Sequence, residues 1–260
     1  MNLPQLHIQG EGHPFIWLHG MLNSVESDSV YSLVDFDQLS KIVSVIRYNA
    51  CEKASDGDYS WKAMTNELIG IADEQNFESM ILGGCSMGSG TAIHATIEFP
   101  ERVKALILVT PPPAWEIRKK AKAVYHKVAS KTHPHKLPEF LKRIIELNED
   151  PPEFFEEMRP GTRKSLLDLR LGFEPGYYSS IYTGGANSDF PTREQISRIT
   201  VPTLIISIPD DEKHPIEIAR EINSLIPNSE LALVSSSEDY LNLQKKIYDF
   251  VCSLHNNNKS

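Results

Sequence analysis

Cysteine is scarce in this chain: Cys51, Cys85 and Cys252 form an odd set without metal-type spacing. Neither a disulfide framework nor a zinc site fits it, and a reducing, cytoplasmic setting is the expectation. Positive charge is also in deficit, with 26 Lys plus Arg against 35 Asp plus Glu and a formal net charge of −9. No dense basic cluster offsets that balance, so neither a nucleic acid nor an anionic membrane surface is expected as a partner. Long apolar runs are missing too; none approaches the roughly 20 residues that span a bilayer. The start, Met1-Asn2-Leu3-Pro4-Gln5, has neither the basic nor the apolar region of an export signal. Internal repeats are absent, and the one biased tract, Asn256-Asn257-Asn258-Lys259-Ser260, has nothing to bury and is expected to be disordered.

What is present is enough apolar residue to build a substantial core: 40% of 260 residues are hydrophobic. Short β-branched runs recur at Phe15 to Leu18, Ile42 to Ile46, Met80 to Leu82, Ala105 to Val109, Thr203 to Ile208 and Leu231 to Val234. Runs of that length and composition read as buried parallel strands. Helix-length stretches lie between them, among them Trp61 to Asp73 and Ile216 to Ile226, whose apolar residues recur near 3.6 spacing. Alternating strand and helix predicts an α/β fold with a doubly wound, mostly parallel sheet.

One interval breaks the alternation. From Pro111 to about Thr200 there are only helix-like segments, such as Glu116 to Val128, Pro138 to Leu147 and Arg163 to Leu171. Pro111-Pro112-Pro113 and Val201-Pro202 punctuate its ends. The expected organisation is a core over residues 1–112 and 201–255, a helical cap over 113–200 and a tail over 256–260. The cap aromatics Trp115, Phe154, Phe155, Tyr177, Tyr178 and Tyr182 either line an apolar pocket or form the cap's own core.

The sharpest chemical signal is Gly84-Cys85-Ser86-Met87-Gly88, placed between the strand at Met80 and the helical run Gly90 to Phe99. A serine at a tight strand-to-helix turn needs small residues two positions away on each side, because flanking side chains collide there. The turn presents Ser86 Oγ at a helix N-terminus, where the Met87 amide and the helix dipole favour developing negative charge.

With that motif the chain resembles the α/β-hydrolase family over nearly its whole length. Trp17-Leu18-His19-Gly20-Met21 is similar to the family's His-Gly turn after the third strand. That correspondence implies Met21 and Met87 as the two backbone donors of an oxyanion hole. It also implies a cap between the sixth and seventh core strands, and Asp211 rather than Asp210 as the acid in Pro209-Asp210-Asp211-Glu212-Lys213-His214-Pro215. Arg47-Tyr48-Asn49-Ala50 departs from the Tyr-Asp-x-Arg-Gly loop of many relatives, and no Gly-His-Gly follows it.

A larger departure concerns the base. The family's histidine belongs in the loop after the last strand, which here reads Ser235-Ser236-Ser237-Glu238-Asp239-Tyr240. Serine is a weak nucleophile at neutral pH and needs a base within about 3 Å. His214 leads the substitutes, three residues from Asp211, although its position before Pro215 also suits the N-cap of the helix from Ile216. His19, His94, the cap histidines His126, His133 and His135, the carboxylates Glu238 and Asp239, and His255 beyond the last helix follow. Cys85 reads as a small buried residue.

The resemblance then implies a cofactor-independent serine hydrolase of esterase or lactonase type, with Ser86, Asp211 and His214 as catalytic residues and a small-molecule substrate. No metal is implied, and oligomeric state has no signature. The alternatives are a non-hydrolytic binding protein of the same fold and a lyase or isomerase.

Overall fold

The structure is a computed structural model that describes residues 4–133, 135–147 and 150–256. Among the described residues seven strands build one sheet: β1 (His7–Gln9), β2 (Pro14–Leu18), β3 (Ser44–Arg47), β4 (Met80–Cys85), β5 (Val103–Val109), β6 (Thr203–Ser207) and β7 (Ser229–Leu233). Their spatial order is β1-β3-β2-β4-β5-β6-β7. Within this sheet β1 pairs antiparallel with β3, and the other neighbours run parallel. The α/β, mostly parallel sheet expected from the apolar runs is therefore the observed one. β1 has no counterpart among those runs, because three half-exposed or exposed residues carry no hydrophobic alternation.

Helices α1 (Val25–Val30) and α2 (Phe36–Leu39) follow β2, α3 (Trp61–Glu74) follows β3, and α4 (Met87–Glu98) follows β4. Further helices then intervene before the sheet resumes: α5 (Trp115–Lys131), α6 (Glu139–Glu146), α7 (Glu153–Met158), α8 (Thr162–Leu171), α9 (Pro175–Asn187) and α10 (Arg193–Ser197). α11 (Ile216–Leu225) joins β6 to β7, and α12 (Ser237–Asn256) follows β7. The insertion lies between β5 and β6, which are the sixth and seventh strands when β2, before the His19-Gly20 turn, is counted as the family's third. Asn256 is the last residue of α12, and the rest of the polar tail, 257–260, lies outside the described residues.

Strand periodicity divides the core in two. Phe15 and Trp17 of β2 join Val45, Ile81, Ile107 and Ile206 on the face covered by α2 and α12. Ile16 and Leu18 join Ile46, Leu82, Leu106 and Ile205 on the face covered by α3, α4 and α11. Both faces are apolar because helices cover both, which is why these strands read as continuous hydrophobic runs. The inserted helices share these cores rather than forming one of their own. Phe155 packs edge-on against Tyr31 and Tyr240, while Tyr177, Tyr178, Ile181 and Tyr182 sit in the cluster with Ile16 and Leu18.

β4 runs three residues past the apolar segment, through Gly83-Gly84-Cys85. Packing overrides the poor strand propensity of glycine here. A Cβ on Gly83 would come within 2.5 Å of the Phe15 ring, and one on Gly84 within 2.4 Å of the Gly88 backbone. The last turn of the strand thus has room only for glycine, and the chain reverses directly into α4.

Candidate active site

Ser86 sits between β4 and α4 with φ 50° and ψ −108°, a backbone conformation that side-chain-bearing residues rarely adopt. The strain is held in place from several sides. The Ser86 N–H donates to Val109 O at 2.9 Å, and Ser89 Oγ donates to Gly84 O and Val109 O at 2.7 and 2.9 Å. Gly88 presses against the end of β2 so closely that a Cβ there would lie 1.9 Å from Leu18 O. Although Ser86 occupies the N-cap of α4, its hydroxyl does not cap the helix. That leaves Oγ available to another partner.

The partner is His214. In the loop after β6, Asp211 N–H donates to Ile208 O at 3.4 Å and His214 N–H to Asp211 O at 3.1 Å, folding the segment into a tight turn. His214 Nδ1 lies 2.7 Å from Asp211 Oδ2, and Nε2 lies 2.8 Å from Ser86 Oγ. Burial would raise the Asp211 carboxyl, but the His214 hydrogen bond, the charges of His214 and Lys213 and the Lys213 N–H outweigh it and hold the group below the usual carboxylate range. An ionised carboxylate can only accept, so Nδ1 carries the proton and the Nε2 lone pair faces the Ser86 hydroxyl. The helix from Ile216 is not capped by the imidazole as expected; its N-cap is Pro215, and both ring nitrogens are engaged in the site.

The turn after β2 closes the other side. A Cβ on Gly20 would come 3.7 Å from Ser86 Cβ and 3.4 Å from Cys85 O, so His19-Gly20-Met21 packs directly against the elbow. His19 is buried with both nitrogens engaged: Nδ1 donates to Gly20 O at 2.8 Å and Nε2 accepts the Ala50 N–H at 3.0 Å. Desolvation lowers its pKa, which suits a neutral ring that fixes the turn. Ala50 belongs to the segment that departs from the family pattern. There Cys51, Glu52 and Lys53 take φ of 48°, 51° and 56°, and Glu67 of α3 accepts the Cys51 N–H at 3.0 and 3.1 Å.

The remaining candidates lie elsewhere. His94 packs against Trp61 with ring centroids 5.2 Å apart and contacts Asp189 O at 3.2 Å. His126, His133 and His135 are exposed on the insertion, and Asp210 and Glu238 are exposed as well. Asp239 is committed to Ser235, whose N–H and hydroxyl hold its carboxyl below the usual range, so it is no base. The His255 side chain lies outside what the structure describes. Burial pushes the Cys85 thiol up to about 12, with partial relief from Thr110, and a protonated thiol is a poor nucleophile. Sequence reasoning missed Asn23, Asp150 and Arg170, which stand beside the site; none lies in a motif, and only the fold brings them near.

Among the described residues no cluster of His, Cys, Asp and Glu is suited to a metal ion, and no helix is long and apolar enough to cross a membrane. Comparison with known proteins gives a consistent picture. The family model for the alpha/beta hydrolase fold matches residues 70–246. AB hydrolase superfamily protein YisY of Bacillus subtilis is 28% identical over 88% of this chain and 85% of its own length. A 2-hydroxymuconate semialdehyde hydrolase of Pseudomonas putida is 23% identical over 87% of this chain and 80% of its own. Among solved structures, a thermophilic esterase from Thermogutta terrifontis superposes with a TM-score of 0.81 at 18% identity, covering 96% of this chain and 93% of that one.

Proposed function

The chain belongs to the α/β-hydrolase fold family, and we propose that it is a cofactor-independent serine hydrolase acting on a small ester, lactone or related carbonyl compound. The observation that carries this reading is the unbroken line Asp211 Oδ2, His214 Nδ1, His214 Nε2, Ser86 Oγ, with gaps of 2.7 and 2.8 Å. His214 accepts the Ser86 proton as Oγ attacks the carbonyl carbon, and Asp211 stabilises the imidazolium that forms. The Met21 and Met87 amides receive the oxyanion, Met87 as the first residue of α4 and Met21 from the turn packed on Ser86. His214 then protonates the leaving group, and water repeats the cycle to release the acid.

The inserted helices serve as a cap over the substrate, and their side chains set its identity. Esterase and semialdehyde hydrolase chemistry among the similar proteins agrees with a carbonyl substrate. The binding-protein alternative rests on the absence of a base, and the contact of His214 with Ser86 favours hydrolysis over it.

The test is reaction of the wild type and Ser86→Ala with a fluorophosphonate probe, read by intact mass, together with hydrolysis of short-chain p-nitrophenyl esters over about pH 6 to 9. One probe adduct per chain and turnover, both lost in Ser86→Ala, are expected. A folded wild type that neither labels nor turns over would overturn the reading, and ester hydrolysis surviving Ser86→Ala would overturn Ser86 as its nucleophile.

A further inference from the structure

The turn that carries both acid and base is tied to the insertion by a chain of charges that the triad itself does not use. Asp150, between α6 and α7, accepts Lys213 Nζ on Oδ1 at 2.9 Å and Arg170 on Oδ2 at 3.3 Å. Arg170, from α8, has a side chain only 5% exposed and donates from the same nitrogen to Asn23 Oδ1 at 3.1 Å. Asn23 in turn closes the oxyanion turn, its N–H donating to Gly20 O at 3.1 Å. At the other end, the Lys213 N–H donates to Asp211 Oδ1 at 2.9 Å, one residue before His214. A single carboxylate therefore links, through two cations, the turn bearing the acid and base to the turn bearing Gly20 and Met21.

Resting on the serine-hydrolase reading, we propose that Asp150 is a positioning residue for the reaction: it holds the 211–214 turn against the oxyanion turn and sets the charge that His214 meets as it takes the proton. Two physical facts support this. A buried guanidinium such as Arg170 needs a carboxylate partner, and losing it would release both cations' charge into the site. Asp150 also lies close enough to His214 for their charges to interact. The groups facing His214 and Asp150 are Asp211 and Lys213 from the same loop, Arg170 from α8, Tyr31 just after α1, and Ser86 and Cys85 at the elbow. Within that set Asp150 offsets Lys213 and Arg170, so the imidazolium forms in a less positive field.

The experiment measures the rate of Ser86 labelling by the fluorophosphonate probe as a function of pH in the wild type, Asp150→Asn and Lys213→Met, each checked for folding by circular dichroism. Asp150→Asn is expected to slow labelling about tenfold at the plateau and to move the midpoint of the acid limb down by about half a pH unit or more. Lys213→Met is expected to move the midpoint the opposite way. Midpoints unchanged in both variants, even with slower labelling, would overturn the proposal, since a merely structural tether lowers the rate without moving the limb. Should Asp150→Asn fail to fold, Lys213→Met decides alone. Absence of labelling in the wild type would be the separate failure of the serine-hydrolase reading, and would take this inference with it.

Discussion

At the residue scale the site turns on His214, which reaches both Asp211 and Ser86 from a turn that also contains its acid. Asp211→Asn keeps a group of similar shape but offers Nδ1 a donor, which drives the imidazole proton to Nε2 and removes the base. Labelling of Ser86 in Asp211→Asn is expected to fall by about 10³-fold or more, with most of the loss in rate rather than in probe affinity; a change below about tenfold would contradict that role. Ser86 could be singled out in the sequence because its turn has a steric and electrostatic reason, whereas Asp211 and the proposed oxyanion donors Met21 and Met87 followed from the family resemblance. His214 was visible but double-valued, since a histidine before a proline suits a helix cap as well as a catalytic turn. Only the hydrogen bonds within 208–214 decide which way its ring points. Asp150, Arg170 and Asn23 carried no signal, because charged residues in loops and helices are ordinarily solvated.

At the element scale the elbow depends on how closely β4, α4 and β2 approach. Gly88→Ala would drive a methyl group to 1.9 Å from Leu18 O and 2.9 Å from His19 O, backbone atoms rather than flexible side-chain ends. Gly161, at φ 92° with nothing within 4 Å of an added methyl group, isolates the cost of backbone conformation alone. Thermal unfolding should therefore show Gly88→Ala destabilised by at least about 2–3 kcal/mol and Gly161→Ala by about 1 kcal/mol; equal effects would mean that packing at the elbow is not tight. The strands and amphipathic helices of the core were legible as apolar runs and 3.6-residue periods. β1 and the short helices α1, α2, α7 and α10 were not, for they span only three to six residues, and such lengths are fixed by tertiary contacts rather than by local pattern.

At the scale of the whole molecule, burial places a titrating group in the fold away from the triad. Asp28 is a buried residue of α1, accepting from Trp17 Nε1 at 2.6 Å. Burial raises its carboxyl to about 7, only partly offset by that hydrogen bond, by Asn23 and by the charges of Arg47 and Arg170. The sign follows directly: the folded chain holds a proton that the unfolded chain gives up, so this group's contribution to stability is lost as pH rises from the ordinary carboxylate range to about 7. Asp28→Asn retains an acceptor for Trp17 and has no charge to bury. Its stability relative to wild type, measured by chemical unfolding at about pH 5 and about pH 8, should grow with pH by about 3 kcal/mol. A pH-independent difference would contradict the assignment. The sheet and the inserted helices were legible as a whole, but their shared core was not: Phe155, Tyr177 and Tyr178 belong to clusters spanning both, and a list of aromatics does not reveal whom they pack against.

The central claim is that the base stands three residues after the acid instead of beyond the last strand. The most direct measurement is the rate of Ser86 labelling by the fluorophosphonate probe in His214→Ala and Glu238→Ala, both confirmed folded. Labelling is expected to fall by about 10³-fold or more in His214→Ala and to stay within about twofold of wild type in Glu238→Ala. Wild-type labelling in His214→Ala, or a comparable loss in Glu238→Ala, would contradict the claim.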